Sequence, residues 1–127
     1  MKTVKITAES EDSSVVVHAK LNETETAGAI YDALGLQAEA RTWGDEIYFP
    51  IPLDLPLENP REEVDIGALG YWPAGNAFCI FFGRTPASTN YRPRPASPVT
   101  VFGEVTGDPS DLKKVPSGAE ITVDKKD

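Results

Sequence analysis

The side chains best suited to recognition chemistry are concentrated in the middle of the chain. Nine of the eleven aromatic residues lie between Trp43 and Tyr91, and all five arginines lie between Arg41 and Arg94. Arginine presents a planar fork of donors to anions and stacks on aromatic rings, whereas lysine does neither as well. This composition indicates an anion-recognising centre with rigid aromatic walls. Structural arginine–carboxylate pairs are the alternative explanation for the arginines.

Three segments, each flanked by glycine or proline, supply the candidate ligand-binding residues. Small-molecule pockets combine aromatic walls with a few polar groups, and glycine and proline hold loops in defined conformations. Glu46 and Tyr48 alternate with Ile47 and Phe49, so they should share one face of a strand. The predicted ligand-binding residues are Trp43, Glu46, Tyr48, Tyr71, Trp72, Phe81 and Arg84, and Arg41 is a further polar anchor and the candidate catalytic residue.

The ligand expected from these residues is small and either planar or anionic, with the rings stacking and Arg84 supplying donors. At least three of five residues should then line one concave pocket: Glu46, Tyr48, Tyr71, Trp72 and Arg84. The alternative is that the aromatic side chains only pack within the core and loops, with Arg84 paired to a surface carboxylate.

The residue types that hold metals or act as nucleophiles are scarce. His18 is the single histidine and falls on the polar side of a predicted strand, so no standard metal triad can be assembled. Cys79 lies within the apolar run FCIFF, a setting typical of an inert buried thiol. The glycines of GALGYWPAG match neither a P-loop nor a dinucleotide fingerprint. We therefore expect neither a metal nor a cofactor.

Bulk properties narrow the class of protein further. The formal net charge of −8 argues against nucleic-acid binding, which needs a basic surface. No apolar run approaches the ~20 residues of a membrane helix, and the start MKTVKITAES lacks the apolar segment of a signal peptide. With one cysteine, these features predict a cytoplasmic protein. The length fits a single domain over residues 1–127.

Hydrophobic alternation predicts a mainly β fold. A hairpin is expected over residues 3–21, then a helix capped by Asn22 and closed by Gly35. Tyr71 and Trp72 are expected in a constrained loop, a bulge or corner at Gly103, and a short helical turn after Asp108. Further strands are predicted within residues 38–43, 46–51, 77–82, 99–105 and 119–123. The predicted architecture is a closed or nearly closed antiparallel β-barrel with one substantial helix and one short helical turn. Its predicted core comprises Val4, Ile6, Val15, Val17, Ile47, Phe49, Ile80, Val101 and Ile121.

Three motifs carry a family resemblance. TWGDEIYF, ENPREEVDIGALGYWPAGNAFCIFFGRTP and PASPVTVFGEV resemble the small prokaryotic cyclophilin-like proteins, over a span from about Lys2 to Val123. The resemblance implies a minimal cyclophilin-like barrel. Cyclophilins are peptidyl-prolyl isomerases whose site combines an arginine, a proline pocket and a histidine. Chain order gives Arg41 the place of the arginine, and the place of the histidine falls near Val99.

Three functional readings follow. The first is a small-ligand binding protein, or an enzyme of unknown reaction, that uses the aromatic pocket. The second is a residual prolyl isomerase in which Arg41 or Arg84 donates to the imide nitrogen. The third is a non-catalytic peptide-binding or assembly module that uses the proline-rich edge from Pro50 to Pro60. A homodimer through an exposed strand edge is compatible with each of them.

We predict little or no prolyl isomerisation on standard peptides. The place of the histidine near Val99 holds no histidine, and Arg41 lacks the phenylalanine–histidine setting of the cyclophilin site. A proline-peptide turnover assay, run beside an ordinary cyclophilin at equal concentration, checks this. Comparable rates for the two proteins would contradict the prediction.

Overall fold

The chain folds into a single antiparallel sheet wrapped into a nearly closed barrel, as described by a computed structural model for residues 2–126. Nine strands and one α-helix are formed within these residues, which confirms the predicted fold class. The strands are β1 (Thr3–Glu9), β2 (Ser14–Leu21), β3 (Leu36–Glu39), β4 (Arg41–Thr42), β5 (Glu46–Pro50), β6 (Ala68–Trp72), β7 (Ala77–Phe81), β8 (Thr100–Thr106) and β9 (Glu120–Lys125); the helix is α1 (Glu25–Asp32), and two short 3-10 helices span Pro73–Gly75 and Pro109–Lys114.

The barrel is closed by a bend at one residue. The strand order is β3-β9-β1-β2-β8-β6-β7-β5-β4, so the two outermost strands are neighbours in sequence, separated by Ala40. The backbone of Ala40 donates to the Ala119 carbonyl at 2.8 Å and accepts from the Gly118 amide at 2.8 Å. One continuous segment therefore serves both ends of the sheet, which leaves little free strand edge.

Helix α1 begins two residues later than the sequence predicts. Thr24 is the N-cap and accepts from the Ala27 amide, whereas Asn22 accepts from the backbone and hydroxyl of Thr24. The prediction that Gly35 closes the helix is also wrong, since the helix ends at Asp32 with Ala33 as its C-cap. An Asx-type turn at Asn22 competes with capping, because both use the same side-chain oxygen.

A carboxylate remote in sequence completes the helix start. Glu58 accepts from the amides of Glu25 and Thr26 at 3.2 and 3.0 Å and from the Thr26 hydroxyl at 2.8 Å. The hydrogen bonds from Thr26, foremost that of its amide, hold the pKa of Glu58 below its ordinary value. The free amides of a helix N-terminus favour negative charge, so Glu58 anchors the proline-rich segment to α1.

The proline-rich segment from Pro50 to Pro60 packs against the barrel core. Leu53 and Leu55 lie on the inner cluster. The Tyr71 hydroxyl donates to the Leu53 carbonyl at 2.7 Å and accepts from the Leu55 amide at 3.1 Å. Tyr71 and Trp72 therefore lie in strand β6 and not in the predicted loop. Their flanking glycines do not break the strand, since Gly70 pairs within both neighbouring ladders.

Eight of the nine predicted core residues are buried inside the barrel, and Val101 is the exception. The eight are Val4, Ile6, Val15, Val17, Ile47, Phe49, Ile80 and Ile121. Gly70 pairs with Val101 while the adjacent Leu69 pairs with Gly103, so the extra residue Phe102 forms the predicted bulge. Phe102 turns into the core and Val101 lies partly buried on the outer face. The bulge therefore reverses the alternation that was used to place Val101.

Strands β6 and β7 are buried on both of their faces. Every residue of Ala77–Phe81 is buried. One set packs into the barrel interior, and the other forms a second apolar cluster with Val64, Ala68 and Val99 on the outside. Within the described residues, no helix has the length and apolar content needed to cross a membrane.

Replacing Phe49 with alanine should destabilise the fold by ~3–5 kcal/mol, since it removes a fully buried ring that stacks on Phe78 at 4.9 Å. Urea unfolding followed by circular dichroism measures the change. Val16→Ala is the control, because Val16 is 47% exposed and its loss should cost no more than about 0.5 kcal/mol. Equal losses in the two variants would contradict the assigned strand register.

Candidate functional site

The outer apolar cluster is roofed by residues 83–98, which we call the covering loop. Its shape is held by side-chain hydroxyls bonded to its own backbone. Thr85 donates to the Arg94 carbonyl at 2.6 Å, and Ser88 donates to the Arg92 carbonyl at 2.8 Å. These bonds take the place of the strand-to-strand hydrogen bonds that a loop lacks. The loop therefore has a defined conformation without regular secondary structure.

The covering loop is tied to the segment that leads into β6. The Val64 amide donates to the Pro93 carbonyl at 3.1 Å. The Arg92 guanidinium lies 2.7 Å from the Asp65 carboxylate and 3.5 Å from that of Glu63. The loop is therefore fixed over the outer face of the barrel by both backbone and charge contacts.

A pocket remains where the covering loop stops short of β5. It has a volume of ≈ 210 Å³ and is lined by Trp43, Glu46, Tyr48, Trp72, Pro95, Ala96 and Val99. Pockets for drug-sized molecules occupy about 300–1,000 Å³. The dimensions therefore suit a small molecule or one ring of a larger one.

Two of its walls form an aromatic pair. Tyr48 and Trp72 meet edge to face, with ring centroids 6.4 Å apart and an interplanar angle of 80°. The Trp72 indole N–H donates to the Ser97 hydroxyl on the covering loop. This bond and the ring contact set the position of Trp72.

Trp43 is positioned by a tight turn that docks on the start of the covering loop. Gly44 has a φ of 62°, and a Cβ there would lie 2.9 Å from the Arg84 carbonyl oxygen and from the Thr85 Cα. Only glycine fits this close approach without strain. The Asp45 amide donates to the Arg84 carbonyl at 2.8 Å and locks the contact.

Glu46 supplies the carboxyl group of the pocket. It is 6% exposed, and no described residue forms an ion pair with it. Burial raises its pKa to about 7, and a hydrogen bond with the Cys79 side chain partly opposes this. Burial, and then the neighbouring Glu46 carboxylate, raise the pKa of the Cys79 thiol well above its usual value. Cys79 is thus the inert buried thiol that the sequence predicts.

The structure brings four of the seven predicted ligand-binding residues into this pocket: Trp43, Glu46, Tyr48 and Trp72. Three of the five residues that were expected to share one concave site do so. Alternation along β5 explains the result for Glu46 and Tyr48, which face outward while Ile47 and Phe49 face the core. That these residues bind a ligand remains a prediction.

Three predicted residues lie elsewhere. Tyr71 points into the barrel, since it neighbours Trp72 in a strand and so takes the opposite face. Phe81 is fully buried in the outer cluster. Arg84 is exposed and its guanidinium donates to the Ser88 carbonyl at 3.4 Å. It has no ion pair within the described residues and does not line the pocket.

Arg41 lies on the far side of the Tyr48–Trp72 pair. It is opposite Tyr48 in the β4–β5 ladder and exposed. It borders a second, neighbouring pocket of ≈ 260 Å³ that shares Tyr48 and Trp72 with the first. Arg41 is therefore close to the aromatic pair but borders a different pocket from Glu46.

Sequence reasoning missed the wall that the covering loop contributes. Pro95 and Ala96 of the loop line the pocket, with Val99 just beyond them. Nothing distinguishes Pro95 and Ala96 from the other apolar residues of this stretch, and Val99 was singled out only through the place of the cyclophilin histidine. The four prolines between Arg84 and Pro98 indicated a loop. They gave no sign of the surface that it covers.

The comparisons with known proteins decide the family. The profile of the cyclophilin-like family matches residues 2–124. The chain belongs to the cyclophilin-like family. A hypothetical protein of Archaeoglobus fulgidus with a solution structure is 36% identical to this cyclophilin-like chain, with a TM-score of 0.80. The match covers 98% of this chain and 95% of the archaeal one. None of the curated proteins compared with the chain matches it.

The family resemblance puts the place of the cyclophilin histidine near Val99, which is an apolar residue. Val99 is fully buried beside the pocket. His18 lies on β2 opposite Thr106, at the other end of β8 from Val99. The absence of isomerase activity remains a prediction for the turnover assay.

The raised pKa of Glu46 predicts a specific loss of stability with rising pH. Below its ordinary pKa of 4.5 the carboxyl is neutral in both states. Between 4.5 and about 7 the unfolded chain loses the proton first, so the folded state should lose on the order of 3 kcal/mol over this window and no more above it. Urea unfolding at about pH 4 and about pH 8, on either side of the window, measures this.

Glu46→Gln provides the comparison, because it keeps the shape and cannot ionise. The difference in unfolding free energy between the variant and the parent should grow in favour of the variant as the pH rises. Other titrating groups cancel in that difference. An unchanged difference across the window would show that Glu46 has an ordinary pKa.

Proposed function

We propose that this cyclophilin-like protein binds a small planar ligand in the pocket formed by Trp43, Glu46, Tyr48 and Trp72. The observation that carries the proposal is a carboxyl group, 6% exposed and without an ion-pair partner among the described residues, at an otherwise apolar aromatic pocket. The proposal is limited to binding and assigns no reaction.

A buried carboxyl of this kind is costly to the fold. Moving an unpaired carboxylate out of water is unfavourable, and Glu46 meets that cost by holding its proton up to about pH 7. A glutamine or an apolar residue would fill the same space at lower cost. A carboxyl group whose pKa is strongly perturbed by burial in a cleft is a candidate for a functional site, which supports a binding role.

The pocket walls favour a flat ligand. Tyr48 and Trp72 are already edge to face, and Trp43, which precedes the turn into β5, lines the same pocket. A planar ring can extend this arrangement with an offset or edge contact of its own. The expected anionic ligand is not part of the proposal, because Arg84 is outside the pocket and the ionisable wall is an acid.

The proline-rich segment supports a structural role better than a docking role. Its side chains Leu53 and Leu55 pack on the core, and its backbone is bonded to the Tyr71 hydroxyl. Glu58 also ties it to the start of α1. The inner side chains of this segment and several of its backbone groups are thus already engaged by the barrel, which favours a structural role over peptide docking.

Three probes of one shape test the proposal: benzamidine, benzamide and benzoate. We expect at least one to bind with a Kd of about 1 mM or tighter, as suits a single ring. The measurement is the shift of the Trp43 and Trp72 indole N–H signals in ¹H–¹⁵N NMR spectra. Ala96→Phe should abolish these shifts by filling the pocket from the exposed loop.

The matched control is Ala74→Phe, which makes the same change at an exposed alanine that does not line the pocket. It should leave binding intact. If none of the three probes shifts either indole signal, or if Ala74→Phe and Ala96→Phe have equal effects, the pocket is not a binding site.

A further inference from the structure

We infer that the ligand of this pocket is a small planar organic cation, whose charged nitrogen group meets the Glu46 carboxylate while its ring lies among Trp43, Tyr48 and Trp72. This inference rests on the proposed function and adds the charge of the ligand. It also reverses the sign of charge that the arginine-rich sequence suggested.

The side chains that line the pocket include an acid and no base. Of the seven residues that line it, Glu46 is the one with a carboxyl group, and none is lysine, arginine or histidine. An anion placed there would meet an acid and no countercharge. A cation would supply the countercharge that the described residues do not give to Glu46.

The aromatic walls of the pocket also favour a cation. Trp43, Tyr48 and Trp72 present the two ring types that attract cations most strongly, since the faces of these rings carry partial negative charge. A flat cation such as an amidinium or a protonated heterocycle can contact ring faces and a carboxylate together. A neutral ring can use the aromatic walls but not the carboxylate charge.

The side chains on the elements packed around Glu46 do not supply a positive charge to it. From β7 the Cys79 side chain contacts it, and from its own strand Tyr48 shares its face. Asp45, the preceding residue, lies 3.5 Å from the Lys113 ammonium. From β4, Arg41 shares the outer face with Tyr48, but it borders the neighbouring pocket and does not line this one. Within the described residues, none of these side chains forms an ion pair with Glu46. Trp72 of β6 and Val99 before β8 carry no charge.

The arginines of the covering loop do not neutralise Glu46 either. Arg92 is paired with Glu63 and Asp65. Arg84 donates to the Ser88 carbonyl. Arg94 is half-buried, and neither Arg84 nor Arg94 lines the pocket. The loop thus completes an apolar wall with Pro95 and Ala96 and directs its positive charge elsewhere.

The charge of the whole chain acts in the same direction. With 20 acidic and 12 basic residues the formal net charge is −8. The summed field of such a protein attracts small cations and repels small anions before contact. This term is nonspecific and weakens with salt, so it is separable from the contact with Glu46.

The test compares the three probes by charge, since benzamidine is cationic, benzamide neutral and benzoate anionic at nearly the same size. At pH above the pKa of Glu46 benzamidine should bind at least about tenfold more tightly than benzamide, and benzoate most weakly. Benzamidine affinity should rise as the pH increases through about 7, where Glu46 ionises, while benzamide affinity stays flat. Titrations followed by NMR measure all three.

Glu46→Gln removes the charge and keeps the shape. It should bring benzamidine to within about threefold of benzamide and abolish the pH dependence. Glu9→Gln is the matched control, because Glu9 is an exposed carboxylate on β1 and its loss changes the net charge by the same amount. That variant should keep the preference for the cation.

A second readout does not depend on any variant folding. Saturation with benzamidine should lower the pKa of Glu46, followed by ¹³C NMR of its carboxyl carbon, because the bound cation favours the ionised form. Equal or stronger binding of benzamide or benzoate, or a Glu46 pKa that benzamidine leaves unchanged, would overturn the charge assignment while the binding function stands. Failure of all three probes would overturn both.

Discussion

The structure depends on the need to cover a sheet that is apolar on both faces. Strands β6 and β7 carry buried residues at every position from Ala68 to Tyr71 and from Ala77 to Phe81. Antiparallel sheets usually leave one face to water, as β1 and β2 do here, whereas β6 and β7 do not. Gly70 makes the second layer possible, because its missing Cβ leaves room for Phe81 and Val99 above the strand. The outer layer in turn requires a roof, and the covering loop provides it.

The candidate site is the place where this roof is incomplete. Trp43 and Tyr48 come from the β5 side, Trp72 from β6, and Pro95 from the loop, so three separate stretches meet around one carboxyl group. The contacts that hold these stretches also stabilise the fold. The Trp72–Ser97 hydrogen bond joins β6 to the covering loop, and the turn at Gly44 packs against the start of that loop. A stable barrel therefore produces a preorganised pocket without a dedicated set of supporting residues.

Much of the fold was predictable from the sequence, since period-2 alternation reports which side chains share a face. It placed Glu46 and Tyr48 together and eight core residues correctly. It failed where the backbone departs from that period or where burial is two-sided. Phe102 inserts an extra residue and moves Val101 outward, and Tyr71 and Trp72 point to opposite sides of a strand that glycines made resemble a loop. Arg84 was misplaced because composition shows that a residue is near a site in sequence, not where its side chain points.

The covering loop is held by contacts that are not part of the hydrogen bonding between the barrel strands. Its hydroxyls bond to its own carbonyls, and Arg92 and Pro93 bond to residues 63–65, while the barrel ladders run beneath it without using its backbone up to Pro98. Exchanging the stretch from Asn90 to Ala96 would thus reshape the mouth of the pocket and leave the inner core intact. In a barrel built in this way, one strap can change in sequence and shape without disturbing the inner core.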